Sequence, residues 1–251
     1  MDSLLKIKRD FNENGYVKVA KLFSKKDIRK IFSQISKIKK KSLKVKNPNM
    51  HFTSDKRLNT VHDIHKYVKS GPIISISKNK KMIKIVEGIL GEKSILRNIE
   101  FFLKPKQTGM RTPLHQDNYY WNIKNKKALN VWIACTSSNI ENGGLYYYKK
   151  SHKDGIKKHV MSFEPGSSQK IPENYIKGIK NKKYYPNLTL GDCLIHHCEI
   201  AHGSKKNQSN KDRIGLVISY KGKSAKIDKR KLKLYRLSVK KNLAALKKKI
   251  N

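Results

Sequence analysis

Long apolar runs are missing from this sequence. No stretch approaches the roughly twenty apolar residues of a membrane-spanning helix, and no basic start followed by an apolar run marks a signal peptide after Met1. A chain lacking both is expected in the cytoplasm. Cysteine is scarce as well: the three present, Cys135, Cys193 and Cys198, are odd in number and show no CxxC spacing. They lie in strand-like segments, so buried reduced thiols are expected in place of a disulfide or a zinc site. Acidic residues are few, 18 against 58 basic ones, for a formal charge of +40. Such a charge invites a polyanionic partner. Arginine is scarce too, however, at eight of the 58, whereas phosphate and base recognition favour the bidentate guanidinium. Lysine runs throughout, from "SKIKKKSLKVKN" to "KKNLAALKKKIN", which is a pervasive habit and not one basic face. A nucleic-acid partner is therefore not expected, and no internal repeat is present.

At 251 residues the chain is long enough to bury a sizeable core. It reads as a single domain, 1–251, with a helical N-terminal part (1–93), a β core (94–224) and a basic helical tail (225–251). "FNENGYVKVAKL" gives a turn and then a short strand carrying Tyr16, Val17 and Val19. Ser24, with Asp27 three residues on, caps a helix whose buried face is Ile28, Ile31, Phe32, Ile35 and Ile38. Residues 40–75 are polar and irregular, a loop with at most one short helix. Ser77 is the expected N-cap of a second helix running through Met82, Ile83, Ile85, Val86, Ile89 and Leu90 to a stop at Gly91. From Ser94 the pattern turns to β: "SILRNIEFFLK", "ALNVWIACTSS", "GGLYYYKKS", "LTLGDCLIHH" and "RIGLVISYKG". Many short strands without intervening helices imply an antiparallel sandwich or barrel, so the class is α+β and mainly β.

The chemistry centres on "HQDNYYW". His115 and Asp117 flank Gln116, and in extended chain i and i+2 point to one side, so both can reach one ion. A third ligand must come from elsewhere, and "GDCLIHHCEIAHGSKKNQSNKDR" offers His196, His197 and His202. Two imidazoles and one carboxylate on three corners of an octahedron leave three positions open, the facial arrangement of non-haem Fe(II) oxygenases.

On these residues, with "GYVKVAKLFSKKDI", "FFLKPKQTG", "TPLHQDNYYW" and "ENGGLYYYKKSHKDG", the chain resembles the phytanoyl-CoA dioxygenase family of Fe(II)- and 2-oxoglutarate-dependent oxygenases. The resemblance covers most of the chain. It implies a double-stranded β-helix (jelly-roll, cupin-like) core, with the N-terminal helices packed on it and a basic C-terminal helix. It implies His115, Asp117 and His202 as iron ligands, and Arg213 as the partner of the distal carboxylate of 2-oxoglutarate, a role that suits a bidentate guanidinium. Ser204 resembles a hydroxyl reaching the same carboxylate. Trp132, Gln116 and Lys104 stand where further 2-oxoglutarate-pocket residues are expected. The implied cofactors are Fe(II), 2-oxoglutarate and O2. The implied activity is hydroxylation of a small-molecule metabolite with release of succinate and CO2, and no side chain beyond the metal ligands is needed as a catalyst. Because Asp117 keeps the carboxylate ligand, hydroxylation or desaturation is expected over halogenation.

Blander readings apply elsewhere. Tyr119, Tyr120 and Trp121 are packing aromatics or substrate-pocket walls, and His152 fixes a loop or touches substrate. "HDIH", with His62 and His65, reads as a solvated helix face. Gly143 and Gly144 serve a tight turn, since no helix start follows them as a phosphate cradle requires. Two alternatives use the same chain differently: a non-catalytic jelly-roll docking on polyanions through its lysines, or a nucleic-acid demethylase sharing the triad.

Overall fold

The computed structural model describes residues 3–42, 47–164, 166–175 and 183–248. Residues 43–46 of the polar stretch and 249–251 of the tail lie outside them. In chain order the elements are α1 (Leu4–Asn14), β1 (Tyr16–Val19), α2 (Lys25–Ser42), β2 (Met50–Phe52), β3 (Leu58–Val61), α3 (Pro72–Ser77), α4 (Lys80–Leu90), β4 (Ser94–Phe102), β5 (Thr112–His115), α5 (Asp117–Trp121) and β6 (Ala128–Ala134). There follow β7 (Leu145–Tyr148), β8 (Val160–Glu164), β9 (Ser167–Lys170), β10 (Lys183–Tyr184), β11 (Cys193–His197), β12 (His202–Ser204), β13 (Gly215–Gly222) and α6 (Lys229–Lys248). A seven-stranded sheet in the order β1-β11-β6-β13-β4-β3-β2 packs on a four-stranded sheet, β10-β7-β12-β5, and β8 and β9 form a separate hairpin. The pairings are antiparallel, as expected for a jelly-roll.

Alternation along the large sheet decides which residues reach the site. Leu129, Val131 and Ile133 of β6, Cys193 and Ile195 of β11, and Leu216 and Ile218 of β13 point outward. There they form one core with Ile28, Ile31 and Ile35 of α2 and Met82, Ile85, Val86 and Ile89 of α4. The intervening residues Trp132, Ala134, Leu194 and Val217 point inward, packing with Leu145 and Tyr147 of the small sheet. Both faces are covered, so β6 is buried along its whole length and reads as a continuous apolar run instead of an alternating one. The polar exceptions on the inner face, Asn98, Asn130 and Ser219, are buried and belong to the site described below.

The helix capped by Ser24 forms as the sequence implies. Ser24 Oγ accepts from the Asp27 amide at 3.2 Å while the Asp27 carboxylate accepts from Ser24 N at 3.0 Å, a reciprocal cap on two orphan donors. Three expectations need correction. The segment before Tyr16 is not a turn from Phe11 but the end of α1. Ile7 and Phe11 bury one stripe of it, Ser3 caps its start, and Gly15, at φ 82°, closes it. The stretch 40–75 holds more than loop: β2 and β3 extend the large sheet beyond β4, and Pro72 at the first turn starts α3. Ser77 ends α3, and α4 is capped by Asn79, whose side chain accepts from Met82 N at 3.0 Å. Its stop at Gly91, φ 73°, is where the sequence places it. The three cysteines are buried and free, and among the described residues no helix is long and apolar enough to cross a membrane.

Candidate metal centre and its cavity

His115 ends β5 and stands opposite His202 on the neighbouring β12, so the antiparallel ladder alone brings the two rings to 4.3 Å between centroids. Asp117 is not in a strand. It is the first residue of the short helix α5, and it still faces His115 because Gln116 between them is extended, at φ −125° and ψ 126°. Asp117 therefore shares a side with His115 through one residue's dihedrals and not through a continuing strand. Asp117 Oδ1 lies 3.4 Å from His115 Nε2, and its Oδ2 lies 3.7 Å from His202 Nε2. One ligand atom from each of the three lies within 4.8 Å of the others, and all three residues are buried.

The atoms behind the triad set its chemistry. His115 Nδ1 is 2.8 Å from the Pro113 carbonyl and His202 Nδ1 is 2.9 Å from that of Ile200. A carbonyl accepts only from N–H, so both rings carry the proton on Nδ1 and turn the Nε2 lone pair inward. Asp117 Oδ2 accepts from Asn130 Nδ2 at 2.7 Å, and the Asn130 oxygen in turn accepts from Ser219 Oγ. His196 Nε2 sits 3.3 Å from the same Oδ2, and its Nδ1 lies 2.9 Å from the Tyr147 hydroxyl. Burial alone would raise the Asp117 carboxyl, but His202, His115 and His196 around it hold it well below the usual carboxylate range. Burial and the neighbouring His115 push His202 down to about 3. At neutral pH the site thus offers an ionised carboxylate and a neutral His202, whereas Asp117 raises His115 despite its burial, so a metal competes with a proton at that ring.

These residues open into a cavity of about 430 Å3, in whose lining Arg213, Ser204 and Trp132 appear together. Arg213 Nη2 donates to the Gly143 carbonyl at 2.6 Å, yet its Nε and Nη1 are buried without a partner, and so is Ser204 Oγ. Burial pushes Arg213 down to about 9, which leaves it charged at pH 7. A buried, charged guanidinium with two idle nitrogens, beside an idle hydroxyl, is costly unless an anion completes it. Its guanidinium lies 5.4 Å from the Trp132 ring centroid. Gly215 leaves room for that indole, since a Cβ there would stand 2.1 Å from Trp132 Cζ2.

Tyr120 and Trp121 also line the cavity, with Leu232, Tyr235 and Arg236 of α6 across its mouth. The Tyr235 hydroxyl is 3.1 Å from Ser168 Oγ and its ring lies 5.6 Å from that of Tyr120, which ties α6 to the hairpin and to α5.

Four residues expected at the site lie outside this lining. Gln116 points away: its amide donates to the carbonyls of Gly155 and Glu199 and its oxygen accepts from Lys157 N, because the extended backbone that turns its neighbours inward turns it outward. Lys104 is buried beside Arg213 and donates to the Lys205 carbonyl, and burial and that like charge hold its ammonium well below the usual lysine range. Tyr119 stacks on His159 at 4.0 Å on the far side of α5. His152 is 3.0 Å from the Asn12 carbonyl and packs on His197, joining α1 to the jelly-roll. His62 departs from a solvated helix face: it pairs with Glu100 at 2.9 Å and lines the cavity. Asn130, Arg97 and Arg236 were not singled out as site residues from sequence, and His196, one of the histidines offered as a third ligand, lines the cavity behind Asp117. Asn130 had a signal, as the lone polar residue inside "ALNVWIAC".

A jelly-roll that opens two histidines and a carboxylate into a polar cavity defines the class of non-haem iron oxygenases. The chain belongs to the phytanoyl-CoA dioxygenase family, whose model matches residues 11–215. It is 25% identical over 222 residues to a probable alpha-ketoglutarate-dependent hypophosphite dioxygenase of Stutzerimonas stutzeri, covering 84% of this chain and 76% of that one. It is 23% identical over 236 residues to the peroxisomal phytanoyl-CoA dioxygenase of Rattus norvegicus, covering 86% and 68%. The fold is similar to that of EctD from S. alaskensis, solved with 2-oxoglutarate and 5-hydroxyectoine. The TM-score is 0.73 at 15% identity, over 89% of this chain and 77% of that one.

Proposed function

We propose that this protein is an Fe(II)- and 2-oxoglutarate-dependent dioxygenase that hydroxylates a small molecule, with His115, Asp117 and His202 as the metal ligands. The observation that carries the reading is the pairing of that triad with the unsatisfied Arg213 and Ser204 in one cavity. The donor set fits the cofactors: two imidazole Nε2 atoms and a carboxylate suit Fe(II), and the idle Arg213 nitrogens and Ser204 hydroxyl suit the distal carboxylate of 2-oxoglutarate. When bound, the iron and 2-oxoglutarate together with O2 supply the oxidising power that turns a C–H bond into C–OH, with release of succinate and CO2.

The chain's own contribution is placement. The carbonyls of Pro113 and Ile200 hold the imidazoles in one tautomer, while Asn130 and His196 hold Oδ2 of Asp117 and leave Oδ1 for the metal. Because Asp117 fills the third protein position, no halide site is left there, which favours hydroxylation over halogenation. Trp132 packs beside Arg213, and α6 with the β8–β9 hairpin limits water at the mouth. The whole chain works as one catalytic domain, with the N-terminal helices and α6 as its supports. Its substrate is a small molecule, as for the relatives, whose named ligands (hypophosphite, phytanoyl-CoA, 5-hydroxyectoine) differ too much to transfer. The three buried thiols fit a reducing compartment such as the cytoplasm.

The test is an anaerobic titration of the protein with Fe(II) and then 2-oxoglutarate, following the weak visible charge-transfer band of a chelated keto acid. The band is expected in the wild type, absent in His115→Ala, and shifted to at least tenfold higher 2-oxoglutarate in Arg213→Ala. A tightly bound metal without the band would overturn the reading.

A further inference from the structure

The oxygenase roles leave one end of the cavity unassigned. Its arginines are Arg97, Arg213 and Arg236, and among the described residues no lysine reaches the lining. Yet only eight of the chain's 58 basic residues are arginine. A composition so rich in lysine would place lysine there by default, so three guanidiniums in one cavity point to selection for planar, bidentate recognition of an oxyanion.

Arg97 is aimed by a fault in the sheet. Ser219 of β13 pairs with Asn98 and Tyr220 pairs with Leu96, which leaves Arg97 as the extra residue of a β-bulge on β4. In a regular strand consecutive side chains point to opposite faces, but here both Arg97 and Asn98 line the cavity. Re-aiming a side chain is what bulges beside active sites do. The guanidinium rests over the Trp121 ring, 4.4 Å from its centroid, and Nη1 donates to Asn98 Oδ1 at 2.8 Å. It has no ion pair with a described carboxylate. The cavity's acids are already engaged: Glu100 with His62 at 2.9 Å, Asp63 with Lys66 at 2.6 Å, and Asp117 within the triad.

Arg213 cannot serve this end. It precedes the start of β13 at Gly215, whereas Arg97 stands against Ser219 and Tyr220, at least four residues, or about 13 Å, further along the strand.

We propose that Arg97, assisted by Arg236 on α6, forms a second oxyanion subsite that binds a carboxylate or phosphoryl group of the substrate, so that the enzyme acts on small anionic molecules. This rests on the oxygenase reading. Arg97 holds the substrate's charged end on the Trp121 side of the triad, while Arg213 holds 2-oxoglutarate. Arg236 completes the subsite from the mouth.

The experiment uses the whole protein loaded with Mn(II) and saturated with 2-oxoglutarate, and reads the paramagnetic relaxation of phosphorus in added inorganic phosphate. Phosphate on remote surface lysines is relaxed far less, because the enhancement falls steeply with distance from the metal, and phosphate bound directly to Mn(II) would be relaxed equally in the Met variants. A saturable enhancement is expected in the wild type. It should need at least tenfold more phosphate in Arg97→Met and severalfold more in Arg236→Met, with partial recovery in Arg97→Lys, while 2-oxoglutarate binding stays unchanged. Labelled carbon in acetate, run in parallel, distinguishes a carboxylate subsite from a phosphoryl one, and enhancement with either supports the proposal. Normal 2-oxoglutarate binding with no enhancement from either probe, or enhancement unchanged in both Met variants, would overturn the subsite alone. Failure of the wild type to bind Mn(II) and 2-oxoglutarate would overturn the oxygenase reading and the subsite with it.

Discussion

The cavity beside the triad is shaped by residues that hold neither metal nor 2-oxoglutarate. Gly215 is one of them, since a methyl group there would collide with Trp132 and push the indole from its place beside Arg213. Gly215→Ala should raise the dissociation constant of 2-oxoglutarate several-fold, at a stability cost of about 1–3 kcal/mol, and leave metal affinity near the wild-type value. Paired titrations with Fe(II) and 2-oxoglutarate check this. His197 shows how buried rings set acid tolerance. Burial, with His152, Lys126 and His196 nearby, pushes it down to about 3, and its Nδ1 accepts from Glu199 N at 3.0 Å. A histidine depressed in the folded state binds its proton more readily when unfolded, so its stabilising contribution is fully present above the ordinary value near 6.5 and is lost as pH falls towards 3. The melting temperature of the metal-free protein should therefore fall with acidification over that window. His197→Phe should show a shallower fall in the same melts.

At the scale of elements, two devices do most of the positioning. The β5–β12 pairing sets His115 against His202, and the turn from β5 into α5 adds Asp117. The second device is α6, which supplies Leu232, Tyr235 and Arg236 to the cavity wall but none of the proposed ligands. Removing residues 229–251 should therefore preserve the charge-transfer band while speeding 2-oxoglutarate dissociation, measured by displacement in stopped flow. Equal dissociation rates with and without α6 would show that the helix does not cover the site. The helices α2 and α4 were legible in the sequence because each repeats isoleucine at helical spacing, α2 behind its Ser24 cap and α4 ahead of its stop at Gly91. The helix α1 was not, because its stripe of two buried residues, Ile7 and Phe11, is short and its closing Asn-Gly pair reads equally well as a turn. The β-bulge at Arg97 has no sequence signal at all, since it exists only as a mismatch between two paired strands.

For the whole molecule, a charge of +40 acts on rates before it acts on partners. A dianion such as 2-oxoglutarate approaching this field should associate faster at low ionic strength, and its association rate should fall steeply between about 20 and 200 mM salt while dissociation changes little. Salt-independent association would mean that local charge at the cavity mouth does not follow the global excess. The composition determined the lysine-rich surface and the absence of membrane-length apolar runs. Local patterns determined the principal helices, the β character beyond Ser94 and the HQD pair, because spacing along a chain fixes which side chains share a face. The family resemblance pointed to His202 as the third member of the triad, but tertiary structure alone set it against His115 and Asp117, put His196 behind Asp117, turned Gln116, Lys104, Tyr119 and His152 away from the cavity, and brought Arg97 and Arg236 into it. Those choices depend on register, on a single bulge and on which strands become neighbours, and such relations join residues a hundred positions apart that no local spacing can encode.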